Sequence, residues 1–284
     1  MSAANTLQGR VALITGASRG IGRAIAQRLA SAGATVVVTA RSVDQSAEFP
    51  GTLAETVSLI EQNGGKAIAL RADIESVEDL ETLVPRTVEA AGRLDILVNN
   101  AGIAHYARVE DMPLETFDLT VQHYLRAPFI LCQKAIPVMR EQGAGWIVNI
   151  GSVTAQRPIQ PWGDWERLGG ATIYAAIKLA LNRFSQGLAA ELEHDNIAVN
   201  VVGPSTAIST PGADRFTPED YPTEPVEYLT ETVLAMSHLP AAERTGLITH
   251  SLHFPYREKL PVYSLDGKEQ LPPPQIPEYA HPDI

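Results

Sequence analysis

The sequence predicts an α/β fold built on a parallel sheet, and three features of its 284 residues carry that reading. Stretches of strand and helix character alternate from Arg10 to about Asn200, the pattern of consecutive βαβ units. An apolar run, Val11-Ala12-Leu13-Ile14, passes through a glycine-rich turn into an amphipathic stretch carrying Ile21, Ile25 and Leu29. Two later apolar runs end the same way, Asp95–Asn99 in a small-residue turn and Gly145–Ile150 in a serine. Ligands of an open parallel sheet bind at that carboxyl edge of the strands.

In chain order, strands are expected at 10–15, 34–40, 66–71, 94–99, 145–150, 197–202 and 247–252. Helices fill the gaps at about 20–32, 52–63, 76–91, 114–142, 171–194 and 226–238. Prolines change the character of the chain after Gly203, where 13 of the 20 fall, so regular alternation ends there. The stretch 271–284 holds five and cannot be helix or central strand. Residues 1–270 therefore form one domain, and 271–284 an extended tail, mobile or laid across a neighbouring subunit.

Composition excludes several partners. A formal charge of −11 argues against nucleic acid and anionic membrane, which attract basic surfaces. No stretch reaches the ~20 apolar residues of a membrane span. Residues 1–10 show no basic start followed by an apolar run, so no signal peptide is visible. A single cysteine, Cys132, excludes an internal disulfide and suits a reducing, cytoplasmic setting. It sits in an apolar helical run and reads as a buried, inert thiol. His250 and His253 are too few and too isolated to hold a metal, and none is expected.

Chemistry concentrates in four motifs. In Thr15-Gly16-Ala17-Ser18-Arg19-Gly20-Ile21-Gly22, glycines let the backbone approach a pyrophosphate, and the following helix offers free N–H groups and a partial positive charge. The plain alternative is an ordinary tight turn. Asn99-Asn100-Ala101-Gly102 and the strand-end Ser152 are the second and third. The fourth is Tyr174 and Lys178, four apart on a helix and so about one turn apart on one face. A phenol ionises near pH ~10, and a neighbouring ammonium should pull that value down toward the range where proton transfer is efficient.

Together these residues resemble the short-chain dehydrogenase/reductase family in its single-domain branch, over about residues 8–252. The resemblance implies a Rossmann-like, doubly wound parallel sheet of about seven strands in a three-layer sandwich. It implies hydride transfer between a nicotinamide cofactor and a small-molecule ketone or alcohol. It makes Tyr174 the general acid/base, has Ser152 hold the substrate oxygen, and has Lys178 tune Tyr174 and bind the nicotinamide ribose. Gly16, Ser18, Arg19, Gly20, Ile21 and Gly22 would cradle the pyrophosphate, with Asn100, Ala101, Gly102 and Pro204 beside them. Asp73, with Ile74, matches the acceptor for the adenine amino group, although a turn or N-cap aspartate reads nearly as well. Thr210 is the candidate for the carboxamide. The resemblance also implies a homodimer or homotetramer paired through the helices at about 114–142 and 171–194.

Cofactor choice follows from the end of the second strand. The position where a carboxylate would select NAD holds Ala40, and Arg41 and Ser42 follow. With Arg19 in the turn, this favours NADP(H) over NAD(H), since a guanidinium grips a 2′-phosphate in a fork.

Departures from the family pattern fall around the substrate. Tyr124, next to His123, stands where the family places an Asn that orders a water linking the lysine to solvent. Pro204-Ser205 replaces the usual Pro-Gly. The interval between Ser152 and Tyr174 is long at 21 residues and carries Trp162 and Trp165. With Ile208, Phe216 and Tyr221 from a second lip, and His105 and Tyr106 as polar handles, these predict a pocket for a bulky, mostly apolar ketone. Two other readings stay open: a cofactor-sensing regulatory or scaffold protein, and an epimerase or dehydratase on the same fold.

Overall fold

The computed structural model describes residues 6–41, 43, 50–211, 213–214 and 220–284. Seven parallel strands are present: β1 (Val11–Thr15), β2 (Thr35–Ala40), β3 (Lys66–Arg71), β4 (Ile96–Asn99), β5 (Gly145–Ile150), β6 (Ile197–Gly203) and β7 (Ile248–His250). Their order is β3-β2-β1-β4-β5-β6-β7. Six main helices match the expected gaps: α1 (Gly20–Ser31), α2 (Leu53–Gln62), α3 (Val77–Ala91), the pair α4 (Leu114–Val121) and α5 (Ala127–Gln142) for the long helix, α7 (Thr172–Leu192) and α8 (Val226–Ala235) completing the set. The Rossmann-like, doubly wound fold stands as expected.

The three layers follow from the two-residue period of a strand. Ala12, Ile14, Val36, Val38, Ile96 and Val98 point to one core, with Ile25 and Leu29 of α1 and Leu229 and Val233 of α8. Their neighbours Val11, Leu13, Val37 and Leu97 point to the other, with Leu80 and Leu83 of α3, Leu131 of α5 and Leu188 of α7. Strands covered on both faces read as continuous apolar runs, which is why they were visible. Each fully buried Leu or Ile side chain contributes roughly 1.5–3 kcal/mol.

Connectivity reverses between β1 and its neighbours β2 and β4. A crevice opens outside the carboxyl ends of strands at such a point. It is built tightly here. Thr15 Oγ1 accepts from the backbone N–H of both Asn100 and Ala101 at 3.0 Å, and Asn100 Nδ2 donates to Thr15 O at 2.9 Å.

Three features were not expected. The long helix is interrupted by a π turn over Gln122–Arg126. A short helix, α6 (Asp164–Leu168), stands in the interval between Ser152 and Tyr174. Past β7, which spans three residues, the chain turns at once into α9 (His253–Glu258). The stretch 271–284 is irregular and lies on its own chain, with Leu271 and Ile276 packed against Tyr228, Leu252 and Val262. A buried ion pair ties α1 to α8: Arg28 Nε and Nη2 donate to the Glu231 carboxylate at 2.8 and 3.1 Å.

Candidate active site

One cleft of about 980 Å³ runs along the carboxyl edge of the sheet. Its floor at β1 is the glycine-rich turn. Gly16 and Gly20 have φ of +68° and +53°, a region that costs a side chain strain. A Cβ at Gly16 would stand 2.8 Å from Ala101 Cα, so the turn and the Asn100–Gly102 segment leave no room for one. No side chain caps α1, and its first turn holds no acidic residue. That end presents backbone donors and partial positive charge to the cleft, which suits a dinucleotide pyrophosphate.

Gly16, Ser18, Arg19, Gly20, Ile21, Gly22, Asn100, Ala101 and Gly102 all line this end, with Pro204 and Thr210 opposite. Thr210 faces Gly20 across the gap, its Cγ2 3.3 Å from where a Cβ would be. Arg41 lines the far end, while Ser42 lies outside the described residues. Ile74 is on the wall, but Asp73 is not. Asp73 Oδ1 accepts from Glu75 N at 3.0 Å, which makes it a turn aspartate.

Glu75 is the residue that sequence reasoning missed. It lines the cleft and its Oε1 lies 3.2 Å from Arg41 Nη1 and 3.1 Å from His123 Nε2. His123 is buried in the π turn, and burial lowers its pKa against the opposing pull of Glu75. The carboxylate was legible in the sequence, but its two partners lie 34 and 48 residues away.

At the middle of the cleft, Ser152, Tyr174 and Lys178 come together. Ser152 caps the turn after β5, its Oγ 2.8 Å from Thr154 Oγ1. Lys178 is buried, donates to Ile150 O at 2.7 Å and lies 5.7 Å from the Tyr174 ring centre. Burial pushes the lysine down to about 7. The Tyr174 hydroxyl is pushed up from the ordinary phenol value, first by burial and then by Tyr106, with Ser152 acting in the opposite direction. The expected lowering by Lys178 is therefore corrected. Loss of water around the phenol, with Tyr106 beside it, outweighs the hydrogen bond from Ser152.

Aromatic rings surround that phenol. Tyr106 and Tyr124 stand edge-on to it at 5.4 and 5.2 Å, and Trp165 stands edge-on to Tyr106 at 5.7 Å. Tyr124 occupies the π turn, and the Lys178 ammonium lies 4.1 Å above its ring centre. The two tryptophans separate. Trp165, on α6, lines the cleft, whereas Trp162 precedes the helix and is not on the wall. Ile208 is on the wall and His105 is not, its ring lying 6.5 Å from that of His123. Phe216 lies outside the described residues.

The altered Pro204-Ser205 loop is held by a buried carboxylate. Glu224 accepts from the N–H of Ser205 and Thr206 at 3.2 and 3.1 Å and from the Ser251 hydroxyl. Ser205 Oγ lies 2.9 Å from His253 Nδ1. Among the described residues, no group of three His, Cys, Asp or Glu side chains is placed to hold a metal ion. Nor, among them, is any helix long and apolar enough to cross a membrane.

A profile of the short chain dehydrogenase family matches residues 10–220. The chain belongs to that family. It is 35% identical over 226 residues to an uncharacterized oxidoreductase of Thermotoga maritima, covering 80% of this chain and 83% of the relative. It is 32% identical over 237 residues to a hydroxynaphthalene reductase-like protein, Arp2, of Metarhizium majus, covering 82% and 83%. Among solved structures, it is similar to a 3-oxoacyl (acyl-carrier-protein) reductase of Agrobacterium tumefaciens with NADP bound. The TM-score is 0.73 and the identity 28%, covering 86% of this chain and 93% of that one. As a short-chain dehydrogenase the protein is an oxidoreductase that uses a nicotinamide cofactor and a small-molecule substrate.

Proposed function

We propose that this short-chain dehydrogenase is an NADP(H)-dependent carbonyl reductase or alcohol dehydrogenase acting on a bulky, mostly apolar ketone or secondary alcohol. The observation that carries the proposal is the meeting of Ser152, Tyr174 and Lys178 beside an aromatic wall in the cleft that begins at the glycine-rich turn. The turn, Asn100–Gly102, Pro204, Thr210 and Lys178 would hold the dinucleotide, with Arg41 at the end where a 2′-phosphate would lie. A reduced nicotinamide, when bound, supplies the hydride.

The chain supplies the rest. Ser152 and Tyr174 donate hydrogen bonds to the carbonyl oxygen and fix its place. Tyr174, kept protonated at neutral pH by burial, then gives its proton to the oxygen as negative charge develops there. Lys178, as the ammonium, stabilises the phenolate that remains. Tyr106, Trp165 and Ile208 present flat apolar surface and exclude water. The name of the Metarhizium relative, hydroxynaphthalene reductase-like, accords with a fused-ring substrate class. Exposed Leu114, Phe129 and Leu179, on α4, α5 and α7, support a homodimer through those helices.

The test is loss of reduced-cofactor absorbance with NADPH or NADH and a panel of ketones. Tyr174→Phe should keep cofactor binding and lose nearly all turnover, by about 10²–10⁴-fold for an acid/base group. Retained turnover in that variant would show that another group delivers the proton.

A further inference from the structure

The stretch 271–284 has no place in the cofactor turn or the Ser152–Tyr174–Lys178 cluster, yet it touches both lips of the mouth. Its root is apolar and fixed. Leu271 and Ile276 pack on Tyr228, Leu252 and Val262, Tyr228 Oη donates to Pro272 O at 3.0 Å, and Leu271 N donates to Val262 O at 2.8 Å.

Beyond that root come contacts of a different kind. The Tyr279 ring stands 6.4 Å from Tyr221, which lines the cleft on the lip after β6. Arg157, at the start of the long interval that carries Trp165, donates Nε to Asp283 Oδ2 at 2.6 Å and Nη2 to Oδ1 at 3.5 Å. His281 Nε2 lies 2.9 Å from the Arg157 carbonyl, and Asp283 N donates to His281 Nδ1 at 3.1 Å. A carbonyl can only accept, so Nε2 donates to it, and the imidazole bridges the two residues.

We propose that residues 279–283 act as a clasp, holding the Arg157 lip and the Tyr221 lip at a fixed spacing and so setting the size of substrate the mouth admits. Each contact is weak alone: the Arg157 and Asp283 side chains are 79% and 36% exposed, and such pairs are screened by salt. Their value lies in position. The rooted segment reaches both lips, and the interval it holds is the one that sets Trp165 against Tyr106. A clasp released at Arg157 leaves that interval anchored at its far end, where Ala107 N donates to Gly170 O at 3.1 Å. The lip would then swing without leaving the site.

The proposal rests on the cleft being the substrate mouth, and the experiment separates the two. Full-length protein carrying Arg157→Ala, Tyr279→Ala and Asp283→Ala together is compared with the unaltered chain by amide hydrogen exchange and by kinetics. Exchange across residues 157–169 should rise about tenfold, while strand amides and Tm stay put. The KM for a bulky ketone should rise roughly three- to tenfold with kcat little changed, and that for a small ketone less than twofold. Unchanged exchange across 157–169, or equal KM changes for both ketones, would overturn the clasp. Should the unaltered chain reduce no ketone at all, the function proposed above fails, and the exchange measurement alone decides the clasp. If the triple variant does not fold, Asp283→Asn and added salt must each speed the same exchange, and failure of either overturns it.

Discussion

Lys178 is an ammonium in a place that disfavours one, and the ring beneath it gives a measurable handle on the reaction. Burial draws its pKa down to about 7, while Ile150 O and the face of Tyr124, 4.1 Å away, favour the cation. A cation over an aromatic face in a dehydrated site contributes about 2 kcal/mol, and about 1.4 kcal/mol corresponds to one pKa unit. Removing the ring should therefore lower the lysine's titration by about one to one and a half pH units. The sign follows from the role of the charge. Under the proposed mechanism, carbonyl reduction should be fastest on the acid side of this titration, where the ammonium can stabilise the phenolate, and should fall as pH rises through it. Tyr124→Met, which keeps bulk and loses the π face, should move that alkaline limb of kcat to lower pH by about one to one and a half units. Tyr124→Phe, which keeps the face, should leave the limb in place. The assay is the pH profile of kcat at saturating cofactor. A Met variant whose limb coincides with that of the unaltered protein would refute the reasoning. A Phe variant shifted as far as Met would assign the effect to the hydroxyl. A proton relay through Tyr124 Oη, with a changed solvent isotope effect, would then replace the ring.

Other residues make equally direct predictions. Arg41→Asp should weaken NADPH about tenfold or more and NADH little, because it sets a carboxylate against the 2′-phosphate; equal losses in cofactor titrations would make Arg41 structural. Glu75→Gln should tighten NADPH by about two- to fivefold, since the exposed Arg41–Glu75 pair contributes only ~0.2–1 kcal/mol and competes for the same guanidinium; weaker NADPH binding would show that Glu75 orients Arg41 instead. Trp165→Ala should raise the KM for a bulky ketone about tenfold and Trp162→Ala hardly at all, because only Trp165 meets the wall; similar effects from both would contradict the separation seen at α6. Arg28→Ala should cost about 3–5 kcal/mol in urea unfolding by leaving the Glu231 carboxylate buried without its partner; a cost under about 1 kcal/mol would show that water reaches the site.

What was legible in the sequence was local, and what was not depends on contacts between distant segments. The strands declare themselves because both faces are covered, so the middles of β1 and β2, Val11–Ile14 and Val36–Val38, are apolar without interruption. The glycine turn shows because Gly16 and Gly20 sit at positive φ, and Tyr174 and Lys178 show because one helical turn joins them. A short helix such as α6, five residues between glycines, has no room to display a period, so Trp162 and Trp165 looked equivalent. The π turn is invisible for a related reason: one extra residue per turn shifts side chains around the axis without changing which residues are apolar. Yet that turn presents both His123 and Tyr124 to the cleft, His123 toward Glu75 and Tyr124 under Lys178. Composition could say that 271–284 is neither helix nor strand, but not that Tyr279 and Asp283 would meet Tyr221 and Arg157. The parts shared with the family are thus the ones a local pattern encodes. The aromatic seat of Lys178 and the contacts of Tyr279 and Asp283 with Tyr221 and Arg157 arise instead where segments far apart in sequence close on the same cleft.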